Sequence, residues 1–179
     1  MKKIILLALV AGLSVFTSTG YALDVEDSIK NYEKHGKWAS FSIVDVYFGR
    51  VLAARATTED ERTNATLALT YPVSNRCELT PIDIIVKLQN PVREESSWQT
   101  FGNLQLDDKP ALKVEATIQN EENSNFIFIT IDRNKIDKEL SASKSLMVNF
   151  KGYGVMNFSL DGAKLAINNA LNSCNQFSF

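Results

Sequence analysis

The sequence predicts an α+β fold dominated by its sheet, with about eight short, mostly antiparallel strands and a helix near each end. Two observations carry that expectation. Apolar and polar residues alternate over short stretches punctuated by Gly, Asn, Asp and Pro, as half-buried strands joined by turns require. A helical period occurs chiefly near the two ends of the chain.

Taken in order, residues 24–35 place Val25, Ile29 and Tyr32 at helical spacing, with Asp24 as a cap and Gly36 as a stop. The period then changes to two. Phe41 and Ile43 alternate with Ser40 and Ser42, and a second run follows Gly49 over residues 50–57. Ala65, Leu67, Leu69 and Tyr71 define a strand, as do Ile82, Ile84, Val86 and Leu88. Residues 90–101 read as a loop, after which Leu104 and Leu106 resume the alternation. Asp107-Asp108-Lys109-Pro110 reads as a turn into a strand with Leu112, Val114, Ala116 and Ile118 on one face. The polar loop 120–125 leads to an apolar central strand over 126–131, then a short helix over 134–140. Two strands, 146–150 and 155–160, are joined at Gly152-Tyr153-Gly154. The last helix shows one stripe of Leu160, Ala163, Ile167, Ala170, Leu171 and Cys174, with Asp161 as its expected cap.

The N-terminus reads as an export signal. Lys2 and Lys3 precede the uncharged run from Ile4 to Leu13, and Gly20-Tyr21-Ala22 places small residues where a signal peptidase reads. The apolar stretch is shorter than the roughly 20 residues that span a bilayer. Residues 1–22 are therefore expected to be cleaved, leaving a single β-rich domain over residues 23–179 in the periplasm, with secretion as the alternative. The chain carries 19 basic against 21 acidic residues, and loss of Lys2 and Lys3 deepens the deficit. With no basic cluster, nucleic acid and anionic lipid are poor partners. Cys77 and Cys174 are the only cysteines, and in an oxidising compartment they are expected to form one disulfide. A loop of that length is worth about 4–5 kcal/mol in the chain-entropy model.

The search for chemistry leads away from catalysis. His35 is the only histidine, placed beside Gly36 at the expected helix end, where a cation is favoured. No G-x-S-x-G elbow, phosphate-binding glycine loop, EF-hand spacing or Cys/His metal cluster is present, and no cofactor is expected. Carboxylates cluster at Glu59-Asp60-Glu61, Glu94-Glu95 and Asp107-Asp108, in stretches that read as loops. Trp38 opens a strand and reads as core. Trp98 follows Arg93-Glu94-Glu95-Ser96-Ser97, where it packs against the domain, caps an open sheet edge or anchors a partner. It is the candidate partner-binding residue, within a contact region over 90–101.

The C-terminal layout resembles a known group. The Trp38-Ala39-Ser40-Phe41 strand, Leu146-Met147-Val148-Asn149-Phe150, the glycine turn, and Phe158-Ser159-Leu160-Asp161-Gly162-Ala163 entering a helix with Cys174 are similar to two kinds of small bacterial envelope protein. These are the invasion-associated locus B type and the TagO-type accessory proteins of type VI secretion. The resemblance centres on the last thirty-odd residues and implies a non-catalytic envelope protein linked to secretion or host interaction. The function expected is thus a non-enzymatic periplasmic binding or accessory protein that recognises a protein partner. The alternatives are a toxin-immunity or wall-enzyme inhibitor protein, a carboxylate-based cell-wall hydrolase, and a carrier of a small apolar ligand. An unpaired sheet edge would favour partner binding, two inward carboxylates in a cleft the hydrolase, and an apolar cavity the carrier.

Overall fold

The computed structural model describes residues 28–131 and 136–177. Ten antiparallel strands form one sheet: β1 (Ile29–His35), β2 (Trp38–Val44), β3 (Val51–Asp60), β4 (Ala65–Pro72), β5 (Ile82–Lys87), β6 (Ser96–Leu106), β7 (Leu112–Asn120), β8 (Phe126–Ile131), β9 (Ser145–Phe150) and β10 (Gly154–Ser159). Their spatial order is β1-β2-β3-β4-β5-β8-β7-β6-β9-β10. Among the described residues two α-helices accompany the sheet, α1 (Asp137–Ala142) and α2 (Ala163–Asn175). The α+β class expected from the sequence is the class observed. The expected signal segment, 1–22, lies outside the described residues.

One register row runs across the sheet on its core side: Trp38, Thr58, Leu67, Ile84, Ile129, Ile118 and Trp98 are successive partners. Side chains in phase with this row form the main core, with Leu69, Ile82, Phe150 and Phe158 fully buried. Helix α2 covers β1 to β4 on this face, burying Ala163, Ala166, Ile167, Ala170 and Cys174. The sequence stripe is thus the buried stripe, with Leu171 at its margin. Because β10 ends the sheet yet lies against β3, the sheet curls back on itself.

Cys77 and Cys174 are bonded, with Cα atoms 5.8 Å apart. The bridge fastens α2 to the segment after β4. A second fastening comes from a close approach of backbones. The turn at Gly36 lies on residues 161–162, where the Lys37 N–H donates to the Asp161 carbonyl at 3.1 Å. A Cβ on Gly162 would sit 1.8 Å from the His35 carbonyl oxygen, so only glycine fits there. The N-cap of α2 is Gly162, without a side-chain capping bond, and not the expected Asp161.

The expected N-terminal helix is instead strand β1, with residues 24–27 lying outside the described residues. One extra residue between Lys30 and Glu33 makes a bulge, with Asn31 at φ 55°. The bulge returns residues three apart to the same face. Ile29 therefore packs beside Phe41 and Ile43, and the Tyr32 ring stacks on Phe41 at 6.4 Å. A bulged strand thus imitates the spacing of a helix. Gly36 ends the strand as the first residue of a two-residue hairpin loop, with φ 59°. Near the other end, the expected helix over 134–140 appears as α1, shifted to 137–142 and anchored by buried Ile136 and Leu140.

Candidate partner-binding edge

Strand β6 is the longest in the sheet, and its two edges differ in length of pairing. Strand β7 accompanies it from Ser96 to Leu104, whereas β9 pairs only from Gly102 to Leu106. Residues 96–101 therefore have β7 on one side and no described strand on the other. In an antiparallel pair alternate residues turn both backbone groups away from the partner, so three of these six offer N–H and C=O to the open side. The chain leaves β9 at Phe150, whose ring crosses β6 at Gly102. A Cβ there would lie 2.4 Å from two ring carbons, so glycine leaves the room that the ring occupies.

Trp98 lies within this edge, not in a loop. Its partner Ile118 is buried, while Trp98 itself is 41% exposed. Trp38, at the opposite end of the same row, is fully buried beneath α2. The difference is one of cover, since α2 spans β1 to β4 and no described strand continues the sheet beyond Trp98. Phe101 projects from the other face, 58% exposed, with the Lys113 ammonium 4.4 Å from its ring centroid. The expected contact region over 90–101 is thus part loop and part strand. The signal for the strand was present: Trp98, Thr100, Gly102, Leu104 and Leu106 keep one phase, but Glu94, Glu95, Ser96 and Ser97 gave its start the composition of a loop. The loop before it is held by Asn120, which donates from Nδ2 to the Glu94 carbonyl at 2.6 Å and accepts from the Ser96 hydroxyl.

The two outermost strands of the sheet are protected. Along β10, the Arg62 guanidinium donates to the Val155 carbonyl (3.2 Å), Asp60 Oδ2 accepts the Asn157 N–H (2.9 Å), and the Trp38 indole donates to the Ser159 carbonyl (2.8 Å). These residues alternate, so three side chains occupy one edge. Strand β1 carries the bulge together with Lys30, Glu33 and Lys34, devices that discourage strand addition. By contrast, Ser96-Ser97-Trp98-Gln99-Thr100-Phe101 holds no charge and no proline.

The remaining polar groups bear on the catalytic alternatives. His35 ends a strand and not a helix. Its Nε2 faces Ser40 Oγ at 3.1 Å, Asn169 Nδ2 at 3.4 Å and Glu33 Oε2 at 3.8 Å. A hydrolase triad needs the acid and the nucleophile on opposite ring nitrogens, and here both approach the same one. This group adjoins an open cleft of about 370 Å³ between β1 and α2, lined by Asn31, Glu33, Asn169 and Gln176. A second open cleft, of about 400 Å³, is bordered by Glu59, Asp60, Glu61 and Arg62. Its one deeply buried carboxylate, Asp60, accepts from the Arg62 N–H, the Thr63 hydroxyl and the Asn157 N–H, so its oxygens are engaged in structure. Burial, reinforced by Glu61, raises the pKa of Glu59.

On the outer face of the sheet, Arg55 is buried and donates from Nε to Thr70 Oγ1 at 3.0 Å. Asp83, two strands away, accepts from the Thr130 hydroxyl at 2.9 Å. Burial lowers the Arg55 pKa against the pull of Asp83, and raises that of Asp83 against the pulls of Thr130 and Arg55. These residues sit flat on the sheet, outside both clefts. Among the described residues no group of three or more His, Cys, Asp or Glu side chains is placed to hold a metal ion, and no helix is long and apolar enough to cross a membrane.

No protein-family model matches this chain, and no curated protein matches it significantly. Among solved structures, the fold is similar to that of invasion associated protein b from Bartonella henselae, with a TM-score of 0.52 over 82% of this chain and 98% of that one. At 14% identity the likeness is one of fold, and it places the curled sheet with its terminal helix beside a protein of the invasion-associated type named from the sequence.

Proposed function

We propose that the protein is an exported, non-enzymatic envelope protein that recognises a protein partner by adding a strand of that partner to the open edge of β6. The observation that carries this reading is the contrast among edges: β10 is occupied by three side chains, β1 is bulged and charged, and residues 96–101 are left uncharged and open. Strand addition takes affinity from main-chain bonds and specificity from alternate side chains, and Trp98 and Phe101 supply the latter. A role in secretion or host interaction is supported by the likeness to the Bartonella protein, whose name associates it with invasion.

The test is site-directed photo-crosslinking in the native envelope. A crosslinker at Gln99 is expected to trap a partner that one at Lys34, on β1, does not. Gln99→Lys, Trp98→Ala or Phe101→Ala should each reduce the capture made by a crosslinker placed at Ser97. Equal crosslinking from both strands, or capture indifferent to all three substitutions, would exclude the β6 edge as the contact.

A further inference from the structure

Resting on the strand-addition reading, the geometry of β6 also specifies the strand it takes: we infer that the occupant is an extended protein segment with an acidic residue three positions before an apolar one, running antiparallel to β6. The direction follows from β9, which is antiparallel to β6 and stops at Phe150, opposite Gly102. A segment continuing that line lies beside residues 96–101 and meets Phe101 before Trp98.

The two faces then make different demands. Residues directly opposite each other share a face, with Cβ atoms about 5 Å apart. Opposite Trp98, the added side chain emerges on the core side, beside a half-exposed indole whose other neighbour is buried Ile118. An apolar side chain there extends the core row by one strand. Opposite Phe101, the added side chain emerges on the outer face, beside a ring that carries the Lys113 ammonium. Glu115 is the registered neighbour of Phe101 on β7, on the far side of the ring from the open edge. It stands two strand spacings, about 9.6 Å, from an added residue. The cation on the ring, not the carboxylate beyond it, sets the preference, and an acidic side chain meets it. Because the strands are antiparallel, the acidic position comes first and the apolar position third after it.

The probe is a capped eight-residue peptide, threonine throughout except for glutamate at its third position and leucine at its sixth. It is titrated into the folded protein while backbone amide shifts are followed by NMR. Shifts are expected at residues 96–101, with affinity about five-fold greater than for the peptide with lysine in place of glutamate. The preference should shrink in high salt and reverse in Lys113→Glu, which leaves the edge itself intact. Replacing leucine by threonine should weaken binding in both backgrounds. Equal binding of the glutamate and lysine peptides at residues 96–101 overturns the inferred chemistry while leaving strand addition in place. Shifts confined to another surface overturn the inference, and a silent crosslinker at Gln99 would take the functional reading with it. Self-association abolished by Gln99→Lys in sedimentation also overturns it, because the occupant is then a second copy of the chain.

Discussion

Two tryptophans in one register row show how the same residue type serves opposite ends. Trp38 is fully buried and its indole N–H closes on the Ser159 carbonyl. Trp38→Ala should cost about 3–5 kcal/mol in chemical denaturation, combining a cavity with an exposed β10 edge. Trp98→Ala should change stability by no more than about 1 kcal/mol, since its ring is half exposed and lacks cover, while still reducing partner capture. Large destabilisation by Trp98→Ala would make the residue a packing element and remove it from the proposed contact. Gly102→Ala belongs at this scale too. A methyl 2.4 Å from the Phe150 ring must displace it, and a loss of about 1–3 kcal/mol is expected.

At the scale of elements, the closure of β10 by side chains is itself testable. Asp60→Ala leaves the Asn157 N–H without its acceptor and removes the nearer of the two acceptors of the Thr63 hydroxyl, which predicts a loss of about 1–3 kcal/mol by thermal or denaturant unfolding. Amide exchange should quicken along β10 before the rest of the sheet. The elements most legible in the sequence were those whose alternation has one side in the core and no interruption: β4, β5 and β7. β1 was hidden because a bulge restores a spacing of three, and the first half of β6 because its polar neighbours resemble a loop. The edge at residues 96–101 was beyond reach for a different reason. Trp98 could be singled out from its charged surroundings, but an edge exists only through the order of strands. The end of β9, 50 or so positions later in the chain, leaves this one open.

Over the whole molecule, two shifted carboxylates pull stability in opposite directions with pH. The Asp107 carboxylate accepts the N–H groups of Lys144 and Ser145, and these bonds hold its pKa below the usual range. Its contribution is present above the ordinary aspartate value and is lost as pH falls through the lowered one. Asp83 has its pKa raised by burial, so the native state keeps that proton longer than the unfolded chain. Its effect runs the other way, with stability falling as pH rises from the ordinary value through the raised one. Melting temperatures measured across the acid range should therefore lose part of their low-pH decline in Asp107→Asn, and part of their decline toward neutrality in Asp83→Asn. A profile unchanged in both variants would contradict these assignments. Removing the disulfide by paired Cys→Ser substitution should lower stability by about 4–5 kcal/mol, with a sequence separation of 97 between the bridged residues.

The contacts that tie residues 35–38 to 159–162 set the order in which this chain can become a structure. Synthesis delivers the N-terminus first, yet Trp38 finds its acceptor at Ser159, Lys37 at Asp161 and Cys77 its partner at Cys174. Until the last twenty or so residues arrive, the core face of β2 to β4 has no cover and the hairpin turn at Gly36 has nothing to rest on. Early hairpins form locally but are not locked, and the loop-closure entropy of the whole chain must be met in one late step. A chain so arranged commits to its folded form only once the residues of its last helix are in place.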